Sequence, residues 1–238
     1  MLLSIVLPAY NEEHRIGRTL LEVADYCRES RHDVEVIVVD DGSADATAQV
    51  ARSYADRIEG LQVIVHEVNR GKGRAVATGM LAASGDHRAF LDADGATPVG
   101  EVDKLLAVAA TNARLVPIGS IRAAGTDVGR RQPLIRTIAG RLGNAVMQSL
   151  VLPGVADSQR GCKLFAGDLA EVVFSAQQTD GWGFDIEILA LCQRLGYTIR
   201  EVPVRWDHVD AGQVRAFSYV STLAEVFRIR RLLRRGAH

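Results

Sequence analysis

Two aspartates, Asp92 and Asp94, stand one residue apart in AFLDADGATPV (residues 89–99), where an apolar run gives out. At an extended strand end, residues i and i+2 point to one side, so both carboxylates can face one spot. Two like charges beside an apolar sheet cost free energy unless a cation or strong donors compensate them. A hard divalent cation such as Mg2+ takes carboxylate oxygens together with phosphate oxygens and waters, so the pair can hold a metal against a diphosphate. The same residues, with Gly95, Thr97 and Pro98, also suit an Asp-rich turn that caps a following helix.

Three further groups have residue types suited to chemistry. In VVDDGSADAT, Asp40 and Asp41 end an apolar run, Gly42 permits a turn, and Ser43 or Asp45 can cap a helix. A carboxylate there can accept a hydrogen bond from a nucleobase, although the same residues are ordinary turn and cap formers. NRGKGRAV places two glycines around Lys72 at a helix start, where amide N–H groups and an ammonium attract phosphate; a tight strand-to-helix turn needs the same glycines. Arg122, Arg130, Arg131, Arg136 and Lys163 supply cations in the second half, and arginine's planar fork can bind two phosphate oxygens together. A solvated face would use them equally well. His66, His87 and His208 lack any metal-site spacing and read as surface or internally satisfied residues.

Positioning these groups requires a layered fold. LSIVLP (3–8), VEVIVVD (34–40), LQVIVHE (61–67) and HRAFLDAD (87–94) read as strands, alternating with helical spacing over 12–29, 44–57 and 72–83. The run VIVV is apolar on both faces, as a central parallel strand requires. Alternation of this kind predicts an α/β fold with a mostly parallel central sheet flanked by helices, and ligands at the carboxyl ends of its strands. Those ends are PAYNEE, DDGSADAT, NRGKG and DADGATP. Beyond residue 118 a Gly- and Arg-rich loop leads to an expected helix over 133–151, then DSQRGCKLF, a helix around 184–195 and a strand over 198–206. Residues 1–215 are expected to form one domain.

Residues 216–238 form a tail that reads as a basic amphipathic helix, with Val226, Phe227, Ile229, Leu232 and Leu233 among Arg228, Arg230, Arg231, Arg234 and Arg235. Such a helix can lie on an anionic membrane surface, dock on its own domain, or pair with a second copy in a homo-oligomer.

The bulk numbers exclude several classes. A net charge of −1 over 238 residues argues against general nucleic-acid binding. Cys27, Cys162 and Cys192 are odd in number and far apart, which suits a reducing cytosol. The opening MLLSIVLPAYNEE reads as a first strand rather than a signal peptide, and no run approaches the 18 apolar residues of a membrane span. The phosphate-loop pattern of nucleoside triphosphatases and the dinucleotide glycine fingerprint of dehydrogenases are both missing.

Taken in order, PAYNEE, VDDGSADAT, NRGKG and DADGATP resemble family-two inverting glycosyltransferases; DSQRGCKLF (157–165), WGFDIEIL (182–189) and EVPVRWDHV (201–209) resemble the polyprenyl-phosphate (dolichyl-phosphate) glucosyltransferase branch. That resemblance implies a glycosyltransferase A-type nucleotide-sugar-binding fold, a nucleoside-diphosphate sugar donor (UDP-glucose before GDP-mannose), Mg2+ or Mn2+, and a lipid-phosphate acceptor. It implies donor contacts from Pro8, Tyr10, Glu12, Asp40, Asp41, Lys72, Asp92 and Gly95, with Asp92 and Asp94 at the metal. Arg122, Arg131, Arg136, Gln159 and Lys163 would meet the acceptor phosphate. Asp94, Asp185, Arg131 and Arg136 would carry the chemistry, Asp185 through sugar-hydroxyl contact or as a base, with Trp182 stacked on the sugar or part of the core. The enzyme would sit in the cytoplasm, peripheral at the inner face of the membrane. One departure stands out: where the family pattern runs Cys, Gly, aromatic, this chain has Arg160, Gly161 and Cys162. Other readings are a GDP-mannose enzyme, a different acceptor, or a nucleotide-sugar sensor without turnover.

Overall fold

The first apolar run becomes strand β1 (Leu2–Ala9), buried from Leu3 onward and set near the middle of a seven-stranded sheet. Its side chains alternate between two cores: Leu3, Ile5 and Leu7 pack on one face of the sheet, and Val6 on the other. Burial on both faces is what the VIVV pattern of β2 (Asp33–Asp40) requires, and the helices supply it. Helices α1 (Ile16–Glu29), α2 (Thr47–Arg52) and α4 (Val102–Ala109) cover the first face through Leu20, Val23, Ala51 and Leu105. The second face is covered by α3 (Lys72–Ala82), α5 (Gly167–Ala176) and α6 (Phe184–Arg194), through Met80, Phe174 and Ile188. The computed structural model describes residues 1–123, 151–207 and 228–231.

Adding β3 (Gln62–Val65), β4 (His87–Leu91), β5 (Leu115–Ser120), β6 (Cys162–Ala166) and β7 (Thr198–Pro203) gives the order β3-β2-β1-β4-β6-β5-β7. All adjacent pairs are parallel except those made by β6, which runs antiparallel to both β4 and β5. This matches the expected mostly parallel α/β sheet. It also determines what meets at the functional edge. The carboxyl ends of β1, β2, β3, β4, β5 and β7 and the amino end of β6 all arrive on one side.

The second half corrects the expectation in several places. The loop after residue 118 is preceded by β5, and DSQRGCKLF runs into β6, where no strand was expected. Helices α4 and α5 were also not anticipated, while the helix expected over 133–151 lies almost wholly outside the described residues. Strand β4 stops at Leu91, three residues short of the predicted end, so Asp92 and Asp94 belong to a turn.

Candidate active site

The turn keeps the two aspartates on one side by a different route from the one expected. Ala93 between them is buried, and Gly95 adopts a φ of +70° that favours glycine, turning the chain sharply. Asp94 Oδ1 accepts the Ala96 N–H at 2.9 Å. Asp92 Oδ1 accepts from Lys72 Nζ at 2.6 Å, and Lys72 lies 5.1 Å over the ring of Trp182, which is 42% exposed. Burial alone would raise the Asp92 carboxyl, but Lys72, with help from Lys163 and Arg160, holds it below the usual carboxylate range. Asp94 is pushed upward, first by burial and then by the charge of Asp92. Glu12 is raised as well, chiefly by burial, against the pull of Arg15, whose Nη2 it accepts at 2.6 Å.

Burial is the first cause of both raised carboxyls, and the negative charge of Asp92 adds to it at Asp94. Among the described residues Asp94 has no ion-pair partner. Among the described residues no group of three or more His, Cys, Asp or Glu is placed to hold a metal by protein ligands alone. Two partly exposed carboxylates fit a hard divalent cation that takes its other ligands from phosphate and water.

NRGKG departs from the phosphate-cradle expectation. Asp41, buried after β2, accepts the amide N–H groups of Arg70 (3.0 Å) and Gly71 (2.8 Å) and Nδ1 of His66 (2.7 Å). The Gly73 and Arg74 amides donate to the Asp180 carbonyl at 2.7 and 3.3 Å. Those four donors are therefore engaged within the protein, and the ammonium of Lys72 is the phosphate-seeking group this loop presents. His66 is an internally satisfied residue, its Nε2 3.0 Å from Thr78 Oγ1.

Of the other expected donor contacts, Tyr10 is exposed at the end of β1 and Pro8 is buried within the strand. Asp40 is buried and its Oδ1 accepts from the Ser43 amide at 3.1 Å and from the Ser43 hydroxyl, so it shapes the β2 turn. Among the acceptor residues, Gln159 is exposed and Arg122 donates Nη1 to the Ala156 carbonyl at 3.0 Å. Lys163 corrects the expectation: it is 0% exposed, its Nζ donating to Asp185 Oδ1 (2.6 Å) and the Arg160 carbonyl (2.5 Å) above the Phe90 ring. A group so enclosed cannot touch an acceptor. Asp185 is 2% exposed, and burial raises its carboxyl against the attraction of Lys163 and Lys72. Glu187 accepts the Gln178 and Thr179 amides and so anchors the segment that carries Trp182. Arg131 and Arg136 lie outside the described residues.

Sequence and fold comparisons identify the family. The glycosyl transferase family 2 signature matches residues 4–174. The dolichyl-phosphate beta-glucosyltransferase of Drosophila melanogaster is 36% identical over 227 residues, covering 90% of this chain and 70% of that protein. The Homo sapiens protein of the same name is 32% identical over 227 residues, with the same coverage of each chain. Glucosyl-3-phosphoglycerate synthase from Mycobacterium tuberculosis, crystallised with Mn2+, UDP-glucose and phosphoglyceric acid, shares the fold at a TM-score of 0.70 and 23% identity, covering 96% of this chain and 79% of that one. The chain is a glycosyltransferase with the glycosyltransferase A-type fold, and it belongs to family 2, on the dolichyl-phosphate beta-glucosyltransferase branch.

Proposed function

We propose that this enzyme transfers glucose, with inversion, from UDP-glucose to a polyprenyl phosphate of the dolichyl type. The observation that supports this most is the Lys72–Asp92 contact beside Asp94, at the rim where the strand ends meet. Its acceptor class follows the similarity to the dolichyl-phosphate enzymes.

In this reading Tyr10 offers an exposed ring to the base, and Lys72 takes negative charge that develops on the departing diphosphate. Asp92 and Asp94 would hold Mg2+ or Mn2+, which when bound supplies further neutralisation of that charge. The acceptor phosphate has a second pKa of about 6 and is largely ionised at neutral pH, so its oxygen needs no general base. Asp185 accordingly serves to neutralise Lys163 beneath the site rather than to remove a proton. Trp182, with Lys72 at its face, forms one wall for the sugar. Arg131 and Arg136 are assigned to the acceptor phosphate by the family resemblance.

Membrane contact is part of the same proposal. Among the described residues no helix is long and apolar enough to cross a membrane. In the tail, Ile229 is buried against Ile186 and Val151 of the domain, while Arg228 and Arg231 are exposed. At this turn the apolar face is already covered, so attraction of arginines to an anionic surface, on the order of 1 kcal/mol each, is the contribution left to it.

The test is a transfer assay. Labelled UDP-glucose, UDP-galactose or GDP-mannose is incubated with purified protein, polyprenyl phosphate and Mg2+ or Mn2+, and label is counted in organic solvent. Label should arrive from UDP-glucose; a preference for GDP-mannose, or donor binding without a lipid product, rejects the proposal.

A further inference from the structure

Because β6 runs antiparallel to β4, the residues just before it stand beside Asp92, and the Gly161 carbonyl accepts the Asp92 amide N–H at 3.0 Å. Strands β5 and β7 deliver Arg122 and Trp206 to the same edge. Arg160 lies between them. Its guanidinium sits 4.7 Å over the Trp206 ring, and Nε is 3.4 Å from Asp157 Oδ2, at the long limit of a hydrogen bond. That carboxylate oxygen already accepts the Ile121 amide at 3.0 Å. Among the described residues nothing takes the two Nη groups, and the side chain keeps 26% of its surface exposed.

The other cations near Asp92 are committed. Lys72 pairs with Asp92 and serves the donor diphosphate, and Lys163 is enclosed against Asp185. An incoming phosphate dianion beside Asp92 and Asp94 would meet repulsion unless a cation faced it from the acceptor side. A guanidinium supported on an indole keeps its fork oriented and loses little freedom on binding two phosphate oxygens. We propose that Arg160, seated on Trp206, binds the phosphomonoester of the acceptor. Arg160 occupies the position where the family pattern has cysteine, so this contact would be one the chain adds to the arginines the resemblance assigns. The inference rests on the transferase reading for the identity of the acceptor, though not for the binding of phosphate.

Two experiments on the full chain separate the claims. Calorimetry with inorganic phosphate, and with a short soluble prenyl phosphate, is compared between wild type and Arg160→Gln and Trp206→Leu, with UDP as a control ligand. Arg160→Gln should weaken phosphomonoester binding on the order of 10- to 100-fold, the scale of a lost charge-assisted contact, and leave UDP affinity within about twofold. Arg160→Lys should fall between the two, since it restores charge without the fork. Stronger binding of the prenyl phosphate than of inorganic phosphate would mark a lipid headgroup as the source. In the transfer assay the same variant should raise KM for polyprenyl phosphate and not KM for UDP-glucose. Equal phosphomonoester affinity in wild type and Arg160→Gln, no such binding in wild type, or a parallel loss of UDP affinity would overturn the proposal. If wild type binds the phosphomonoester through Arg160 but makes no glucosyl lipid, the transferase reading fails and the phosphate site stands.

Discussion

Gly161→Ala is the sharpest single perturbation of the site. A Cβ built on Gly161 falls 2.0 Å from Asp92 Cγ and 2.1 Å from each carboxylate oxygen, where ordinary contact begins at about 3.4 Å. The carboxylate must therefore retreat by about 1.4 Å, the difference between the two distances. It cannot do so by moving the backbone freely, because the Asp92 amide is bonded to the Gly161 carbonyl at 3.0 Å. Rotation away from the new methyl carries Oδ1 off Lys72, now at 2.6 Å. A misplacement of about 1 Å at a reacting centre costs up to about 100-fold in rate, so kcat/KM for sugar transfer should fall roughly 10- to 100-fold. The lost charge-assisted bond is worth about 1.5 kcal/mol at the lower end, as Asp92 retains solvent contact. That lowers Tm by about 3 to 6 °C in a chain of this size. The assay pairs initial rates of lipid glucosylation with calorimetric UDP binding and a thermal melt. Wild-type kcat/KM in a folded Gly161→Ala protein would refute the placement of Asp92 in the reaction centre.

Other consequences follow from particular contacts. Lys163→Met should destabilise the fold by about 3–5 kcal/mol in urea unfolding, because it leaves Asp185 buried and unpaired; adding Asp185→Leu should restore much of that loss. Asp41→Ala should free the Arg70 and Gly71 amides and loosen the loop before Lys72, weakening UDP binding several-fold at a temperature where the protein remains folded, as read by calorimetry. Glu35 tests acid stability. Burial would raise its carboxyl, but hydrogen bonds from Ser4 Oγ (2.5 Å) and from the Ser84 amide and hydroxyl (2.9 Å each) bring it below its ordinary range. A lowered folded value means stability that is complete above the unfolded carboxyl's range and lost as pH falls through the folded one. Glu35→Gln should therefore flatten part of the fall in Tm on the acid side of about pH 4.5 while also lowering Tm at neutral pH; an unchanged acid slope would remove Glu35 from that account.

Much of the N-terminal half could be read directly from the residues. Short β-rich apolar runs interrupted by helical spacing are local signals, and they located β1 through β4 and the helices between them. Polar residues at four strand ends pointed to one candidate edge, since a parallel sheet puts all carboxyl ends on one side. The second half was harder. β6 is a five-residue strand, CKLFA, that pairs antiparallel with β4, and no local pattern announces its direction. Without that direction the position of Arg160 beside Asp92 has no basis in sequence, and Lys163, one strand residue further in, looks like any other cation.

The sequence alone therefore determined the class of chemistry: the acidic pair, the glycine–lysine turn and the alternation that brings them to one rim are encoded in short stretches of chain. Only the tertiary structure decided which polar groups remain available to a ligand. Asp41 and Gly71 pair across 30 residues of sequence, Lys163 and Asp185 across 22, and the Gly73 amide reaches the distant Asp180 carbonyl. A hydrogen-bonding group's availability depends on what folding places next to it, and that is a property of long-range contact rather than of residue type.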